Sequence, residues 1–183
     1  MAFSWSKFRV RSAWLFAVPF FWFARPYPLV LAVGGVLALV GLAIRGWAAG
    51  TIHKNQELTT TGPYAFTRNP LYVGSSLIGC GVAIAGGQWV WVAVFVVLFG
   101  AVYRRTIQRE TSNLTKLFPE QYARYAAAVP VFLPRLRPYR DAGQGAPASG
   151  GFGWPQYFHN REWEAAFGVS AAFALLIAKA TLL

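Results

Sequence analysis

The stretch Thr61-Gly62-Pro63-Tyr64-Ala65-Phe66-Thr67-Arg68-Asn69-Pro70-Leu71-Tyr72-Val73-Gly74 lies between two long apolar segments. Its first half is polar and punctuated by glycine and proline, and its second half enters a new hydrophobic run. Pro70 fixes φ at a first helical position, and Tyr72 carries a polar tip on an apolar body. The stretch therefore reads as a turn where a membrane helix meets water, a place for a polar small molecule to bind beside a lipid.

Composition supports that setting. Of 183 residues, 56% are hydrophobic and only 13% are charged, too few to cover a soluble fold of this size. Seventeen Lys and Arg against six acids give a net charge of +11. Apolar bulk with concentrated cations fits an integral membrane protein with basic cytoplasmic loops. A nucleic-acid binder would be basic and aromatic too, but has no need of near-continuous apolar runs, so no nucleic-acid partner is expected. Cys80 is the only cysteine and His53 and His159 are far apart, which argues against a disulfide framework or a metal site.

Working outward, residues 29–49 form an apolar run of membrane-spanning length, with Arg45 near its end placed to snorkel to the interface. Before it, residues 13–24 are a shorter apolar run after Lys7, Arg9 and Arg11, read as a retained first membrane segment. Pro70 opens a helix to about residue 86, in which Ser75, Gly79, Ala83 and Gly87 recur every fourth residue as a face for close helix approach. Gly86-Gly87-Gln88 is a turn, so the next apolar segment, 89–103, completes an antiparallel hairpin. Its helix is expected to continue into water with Ile107, Glu110, Leu114 and Leu117 on one inward face. Pro119 starts a further helix that places Tyr122 and Tyr125 on one side. Residues 129–140, with three prolines, should be irregular, 141–153 a flexible connection, and 165–183 a last span with Lys179 snorkelling at its far end.

The expected fold is all-α: one integral membrane domain over 1–183, about five transmembrane helices, a helical hairpin and a cytoplasmic ligand site. A two-helix hairpin returns to its starting side, so Lys54 and Arg68 share a compartment with Arg104, Arg105, Arg109, Lys116 and Arg124. The positive-inside tendency makes that compartment the cytoplasm and fits a bacterial inner membrane. There the loop meets Glu110, an acid on an apolar helix face that needs a partner. The partner is either Arg68, Arg105 or Arg109, or a cationic or hydrogen-bond-donating ligand.

Gly62-Pro63-Tyr64 followed by Asn69-Pro70-Leu71-Tyr72-Val73-Gly74, and then Glu110, Leu114, Phe118, Tyr122, Tyr125 and Val129-Pro130, resemble the isoprenylcysteine carboxyl methyltransferase family. That family is related to the phospholipid methyltransferases, and the resemblance covers approximately residues 50–134. It implies S-adenosyl-L-methionine as methyl donor and a lipophilic, lipid or prenylated acceptor drawn from among the membrane lipids. Carried over residue by residue, Gln56, Glu57, Leu58, Thr59, Tyr64, Asn69, Pro70, Leu71, Tyr72 and Glu110 match cofactor-contacting positions. Asn69 stands where eukaryotic members have histidine, Thr111 replaces a frequent second acid, and Pro119 replaces a usual glycine. Thr106 occupies the position of a substrate-contacting arginine, with Arg105 beside it.

On this reading Glu110 takes the donor's cationic amino-acid or ribose end, Asn69 and Tyr72 orient the donor, and Arg105 faces an anionic acceptor. Displacement at a sulfonium methyl mainly needs approach, alignment and exclusion of water. The alternatives are a nicotinamide-dependent membrane reductase of the sterol-reductase type and a non-catalytic membrane scaffold.

Overall fold

The computed structural model describes residues 16–53, 56–140 and 151–182. Among these the protein is all-helical. Residues 16–23 form α1, followed by α2 (Pro28–Thr51), a 3₁₀ turn (Gly62–Ala65), α3 (Pro70–Ala85) and α4 (Trp89–Leu117). Then come α5 (Pro119–Ala128), α6 (Trp154–His159) and α7 (Trp163–Leu182). Residues 129–140 are irregular, as their prolines demand. Most of the expected connection 141–153 lies outside the described residues.

Among the described residues, three helices are long and apolar enough to cross a membrane: α2, α4 and α7. The sequence reading expected about five. α3, with 16 residues, is apolar but shorter, and only part of the first apolar segment falls within α1. At 1.5 Å per residue α3 spans about 24 Å, short of a hydrocarbon core of about 30 Å. Large apolar side chains face outward along the long helices, among them Leu39, Val97 and Phe167, and α4 buries no residue at all. Such a belt is stable against lipid and not against water.

Pro at the first turn starts α2, α3 and α5, where its missing N–H costs no hydrogen bond. The closest helix pair is α2 against α3. A Cβ at Gly34 would collide with Gly81 O and one at Gly81 with Gly34 O; Gly41 and Gly74 block one another in the same way. Bare backbone meets bare backbone along Gly74, Ile78, Gly81 and Ala85. This corrects the expected stripe by one position. Gly79 instead accommodates the Phe95 ring of α4, and Gly87 closes the α3–α4 turn at φ +78°. Small residues occur on several faces of α3, so periodicity alone could not choose the one that meets α2. Gly81→Val should cost about 1–3 kcal/mol by overpacking, read as a lowered thermal midpoint of the detergent-solubilised protein.

Two clusters close the bundle at opposite ends. At one, Phe20, Ala24, Ala85 and Leu176 bury one another with Trp91 and Phe173 packed around them. Lys179 Nζ there donates to Phe21 O at 2.7 Å and Trp22 O at 2.5 Å, satisfying carbonyls at the end of α1. At the other end, Tyr122, Tyr125 and Val129 pack with Leu58, Leu114 and Phe118. Lys179 is thus tied to α1 rather than extended towards the interface.

Arg45 also departs from expectation. Its guanidinium turns into the bundle and grips Glu162, with Nε to Oε1 at 2.5 Å and Nη2 to Oε2 at 2.9 Å. Nη1 adds bonds to Ser75 Oγ at 2.5 Å and Leu71 O at 3.4 Å. Glu162 is buried, so the fork is answered by a carboxylate removed from water. Next to it, α6 caps the end of α2. Gln156 Nε2 donates to Ile52 O at 2.6 Å and Asn160 Nδ2 to Ala49 O at 2.8 Å, while Gly153 N reaches Gly50 O at 2.9 Å. These bonds satisfy carbonyls that the helix end leaves open.

Candidate functional site

The 3₁₀ turn Gly62–Ala65 and the start of α3 are held by the chain that follows α5. Arg68 N donates to Pro130 O at 2.9 Å, Arg135 N to Phe66 O at 2.9 Å, and Tyr139 N to Ala65 O at 2.8 Å. The Thr67 hydroxyl donates to Phe132 O at 2.9 Å. The Asn69 amide is spent on the same strap, with Nδ2 to Val131 O at 2.8 Å. The proline-rich stretch suits this task, since its backbone cannot complete a regular ladder of its own and leaves carbonyls for the loop.

Against this loop, α4 and α5 close a cavity of about 460 Å³, within the usual range of small-molecule sites. Glu57, Leu58, Thr59, Tyr64, Asn69, Pro70, Leu71, Tyr72 and Glu110 all line it, bringing the two sequence blocks together across the fold. Gln56 and Arg105 lie outside the lining. Gln56 is exposed, and Arg105 projects from an exposed part of α4. Glu110 is itself exposed to the cavity rather than packed inward. Of the face expected to be buried, Leu114 packs against the tyrosine cluster while Leu117 stays open. Among the described residues no ion pair joins Glu110 to Arg68, Arg105 or Arg109.

The lining also holds residues the sequence reading had not placed there: Arg45, His53, Thr111 and Asn113. Arg68 and the two tyrosines of α5, read first as ion-pair partner and interfacial anchors, belong to the wall as well. Tyr125 donates its hydroxyl to Tyr64 O at 2.7 Å, fixing the loop carbonyl. Tyr122 accepts from Arg68 Nη1 at 3.2 Å and donates to Thr111 Oγ1 at 3.3 Å, and the guanidinium carbon sits 5.9 Å from its ring centre. The spacing of three between Tyr122 and Tyr125 was the available signal. For Arg45 and His53 there was none, since both follow from how the end of α2 is placed.

Several polar atoms remain without hydrogen-bond partners among the described residues although they are buried: the Tyr64 hydroxyl, Arg68 Nε and His53 Nδ1. His53 Nδ1 lies 3.2 Å from Glu57 Oε1, close enough to count as an ion pair by distance but not aligned as a hydrogen bond. Burial pushes the Tyr64 phenol far above its ordinary range, and the neighbouring Tyr125 and Glu110 reinforce the shift. Tyr125 moves the same way, chiefly through burial. Both hydroxyls are therefore fixed as neutral donors. On the other wall, Tyr72 meets Tyr103 edge-on at 4.8 Å, and Tyr103 stacks on Phe99 at 4.0 Å. Cations (Arg45, Arg68), acids (Glu57, Glu110) and neutral donors thus share one partly enclosed space. No three His, Cys, Asp or Glu side chains among the described residues come together as a metal-ligand set.

Comparison with known proteins places this geometry. The chain is 41% identical over 118 residues to the cobalt-zinc-cadmium resistance protein CzcN of Cupriavidus metallidurans, covering 62% of this chain and 53% of that one. It is 34% identical over 122 residues to the nickel-cobalt-cadmium resistance protein NccN of Alcaligenes xylosoxydans xylosoxydans, covering 66% and 55%. It is 29% identical over 84 residues to the protein-S-isoprenylcysteine O-methyltransferase of Schizosaccharomyces pombe, covering 46% and 36%. The chain spans about half the length of the two bacterial relatives. No solved structure matches. The phospholipid methyltransferase profile matches residues 29–121, half of the chain, from the first turn of α2 to the first turn of α5 and so across every element that lines the cavity. The chain belongs to the phospholipid methyltransferase family, whose members are methyltransferases that use S-adenosylmethionine.

Proposed function

We propose that this protein transfers a methyl group from S-adenosylmethionine to a lipophilic acceptor at a membrane interface. The observation that carries the reading is the convergence of residues 57–72 and Glu110 on one cavity with buried, unpartnered donors. The lining fits the donor chemically. A zwitterionic amino-acid end needs an acid for its ammonium and hydrogen-bond donors for its carboxylate. Glu110 and Glu57 supply the first; Tyr64, Arg68 and His53 supply the second. When bound, S-adenosylmethionine supplies a methyl group on a sulfonium, passed to an acceptor lone pair while the carbon–sulfur electron pair stays with sulfur.

The chain's own residues then bind, orient and exclude water. Glu110 faces the cavity from α4 as the ligand for a cationic or hydroxyl-bearing end. Tyr72, braced by Tyr103 and Phe99, gives an aromatic wall that limits where a flat group can lie. Asn69 acts mainly through its tie to Val131, which sets the start of α3 at the cavity edge, so its role is positioning. Thr111, in place of a second acid, links to Tyr122 and leaves Glu110 as the acid that α4 presents. A carboxylate acceptor needs no base, and an amine must arrive deprotonated. The yeast relative is named for a prenylated cysteine, which supports an apolar acceptor here. The basic residues gathered at this end of α4 support a cytoplasm-facing site in a bacterial membrane.

Isothermal titration calorimetry of the detergent-solubilised chain tests the reading. S-adenosylmethionine should bind with a stoichiometry of one, and NADPH should not bind. Binding of NADPH without S-adenosylmethionine binding would replace methyl transfer by the reductase alternative.

A further inference from the structure

A second cavity, of about 420 Å³, opens between α3 and α7. Ser75, Ile78, Gly79 and Val82 form one side, and Ala165, Gly168, Val169 and Ala172 form the other. The lining is apolar apart from its inner end. There the side chain of Arg45 forms a wall shared with the loop-side cavity. Only one helical turn of α3, from Leu71 to Ser75, separates the two spaces, a rise of about 6 Å. Arg45 bonds to both residues and to both Glu162 oxygens. Its charge is thereby answered from within the chain, and what it presents to the groove is a closed, neutral polar stop.

We infer that this groove holds the apolar chain of the methyl acceptor, leading its polar head to the Arg45 partition beside the donor cavity. The inference rests on the methyl-transfer reading and adds to it a route and a substrate shape. The volume suits one drug-sized molecule, hence a single-chain amphiphile. Both walls belong to helices of apolar composition, so the groove faces the lipid phase, from which such a molecule would come. Because Glu162 already neutralises Arg45, the head needs no negative charge to approach. One wall is α7, which lies beyond the family-matched residues, so this chain's C-terminal helix sets the acceptor preference.

Gly168 makes the test clean. A Cβ there meets nothing within 4 Å, so Gly168→Phe puts a ring into the groove without displacing protein atoms. Gly100 on α4 is open in the same way and lies outside the groove, so Gly100→Phe is the matched control. The full chain in nanodiscs is photolabelled with diazirine-bearing palmitate, and labelled peptides are mapped by mass spectrometry. Labels should concentrate at Ile78, Val82, Val169 and Ala172. In Gly168→Phe they should fall about tenfold, the scale of an overpacked apolar site, and in Gly100→Phe they should not fall. Radiolabelled methyl transfer into a lipid extract should fall in parallel, with S-adenosylmethionine affinity unchanged in both variants.

Labelling spread evenly over lipid-facing helices, or transfer that survives Gly168→Phe, overturns the inference while leaving donor binding intact. Loss of S-adenosylmethionine affinity in the wild type overturns the methyl-transfer reading itself. A parallel label on diacyl phosphatidylcholine separates the sources: preferential groove labelling by the two-chain lipid means a bilayer lipid, not an acceptor, occupies it, and sinks the inference.

Discussion

Glu110→Gln should bind S-adenosylmethionine about 10- to 100-fold more weakly, the cost of replacing a charge-assisted hydrogen bond of about 1.5–3 kcal/mol by a neutral one. The substitution keeps size and shape, and Glu110 lies exposed on the cavity wall with no salt bridge to another described residue. Stability should therefore stay within about 0.5 kcal/mol of wild type, as for other surface changes. Calorimetry gives the affinity, and a thermal melt of the same sample gives the stability. Unchanged donor affinity in Glu110→Gln would remove Glu110 from the donor site. A large fall in melting temperature would instead assign it a structural role. Glu57 provides an internal comparison. It sits on the same cavity but beside His53, so Glu57→Gln should weaken binding less.

The largest stability effect is expected at the other acid. Glu162→Ala removes the only carboxylate that answers Arg45 among the described residues and leaves a half-buried guanidinium without a counter-charge. Breaking a buried pair by deleting one partner costs about 3–5 kcal/mol; because Arg45 keeps some exposure, the lower end, about 3 kcal/mol, is expected. The double variant Arg45→Met/Glu162→Leu should recover most of that loss, since replacing both charges by apolar groups of similar size is often neutral. Thermal melts of the three proteins in one detergent decide between the outcomes. If Glu162→Ala melts like the wild type, the pair is a surface-like contact and α7 is held by its apolar face alone. Recovery of stability without recovery of methyl transfer would mark Arg45 as part of the partition between the cavities.

The two predictions differ in what the sequence could reveal. Glu110 was visible because an acid in register with Ile107 and Leu114 is out of place on an apolar face. Glu162 was invisible: it follows a flexible-looking connection and sits among Arg161 and Glu164, where a charge looks like ordinary solvated surface. Its partner is 117 residues away. Arg45, near the end of an apolar run, read equally well as a snorkelling interfacial cation. Only the packing of α7 against α2 and α3 turned both side chains into one buried pair.

Asn69 gives a subtler case. Its position in the Asn-Pro-x-Tyr block pointed to the ligand, and it does line the cavity, yet its amide is tied to Val131 of the strap. A hydrogen-bonding side chain declares its capacity in the sequence but not its partner, because the partner is chosen by what the fold brings within about 3 Å. The same holds for Tyr125. Its spacing from Tyr122 was legible, but its bond to the Tyr64 carbonyl was not.

The sequence by itself determined the all-helical architecture, the apolar helices, the α3–α4 hairpin and the proline-set starts of α3 and α5. Each of these rests on local properties: hydropathy over a window, the 3.6-residue period, and the fixed φ of proline. It also brought forward nearly the whole set of residues 57–72 with Glu110, through a motif whose spacing is local on each side of the hairpin. Only the tertiary structure decided which face of α3 meets α2, where the Arg45 guanidinium goes, and that α7 forms one side of a groove behind the site. Those outcomes depend on steric fit between segments far apart in the chain, where glycine pairs, a buried carboxylate and an open Gly168 acquire meaning from what lies opposite them.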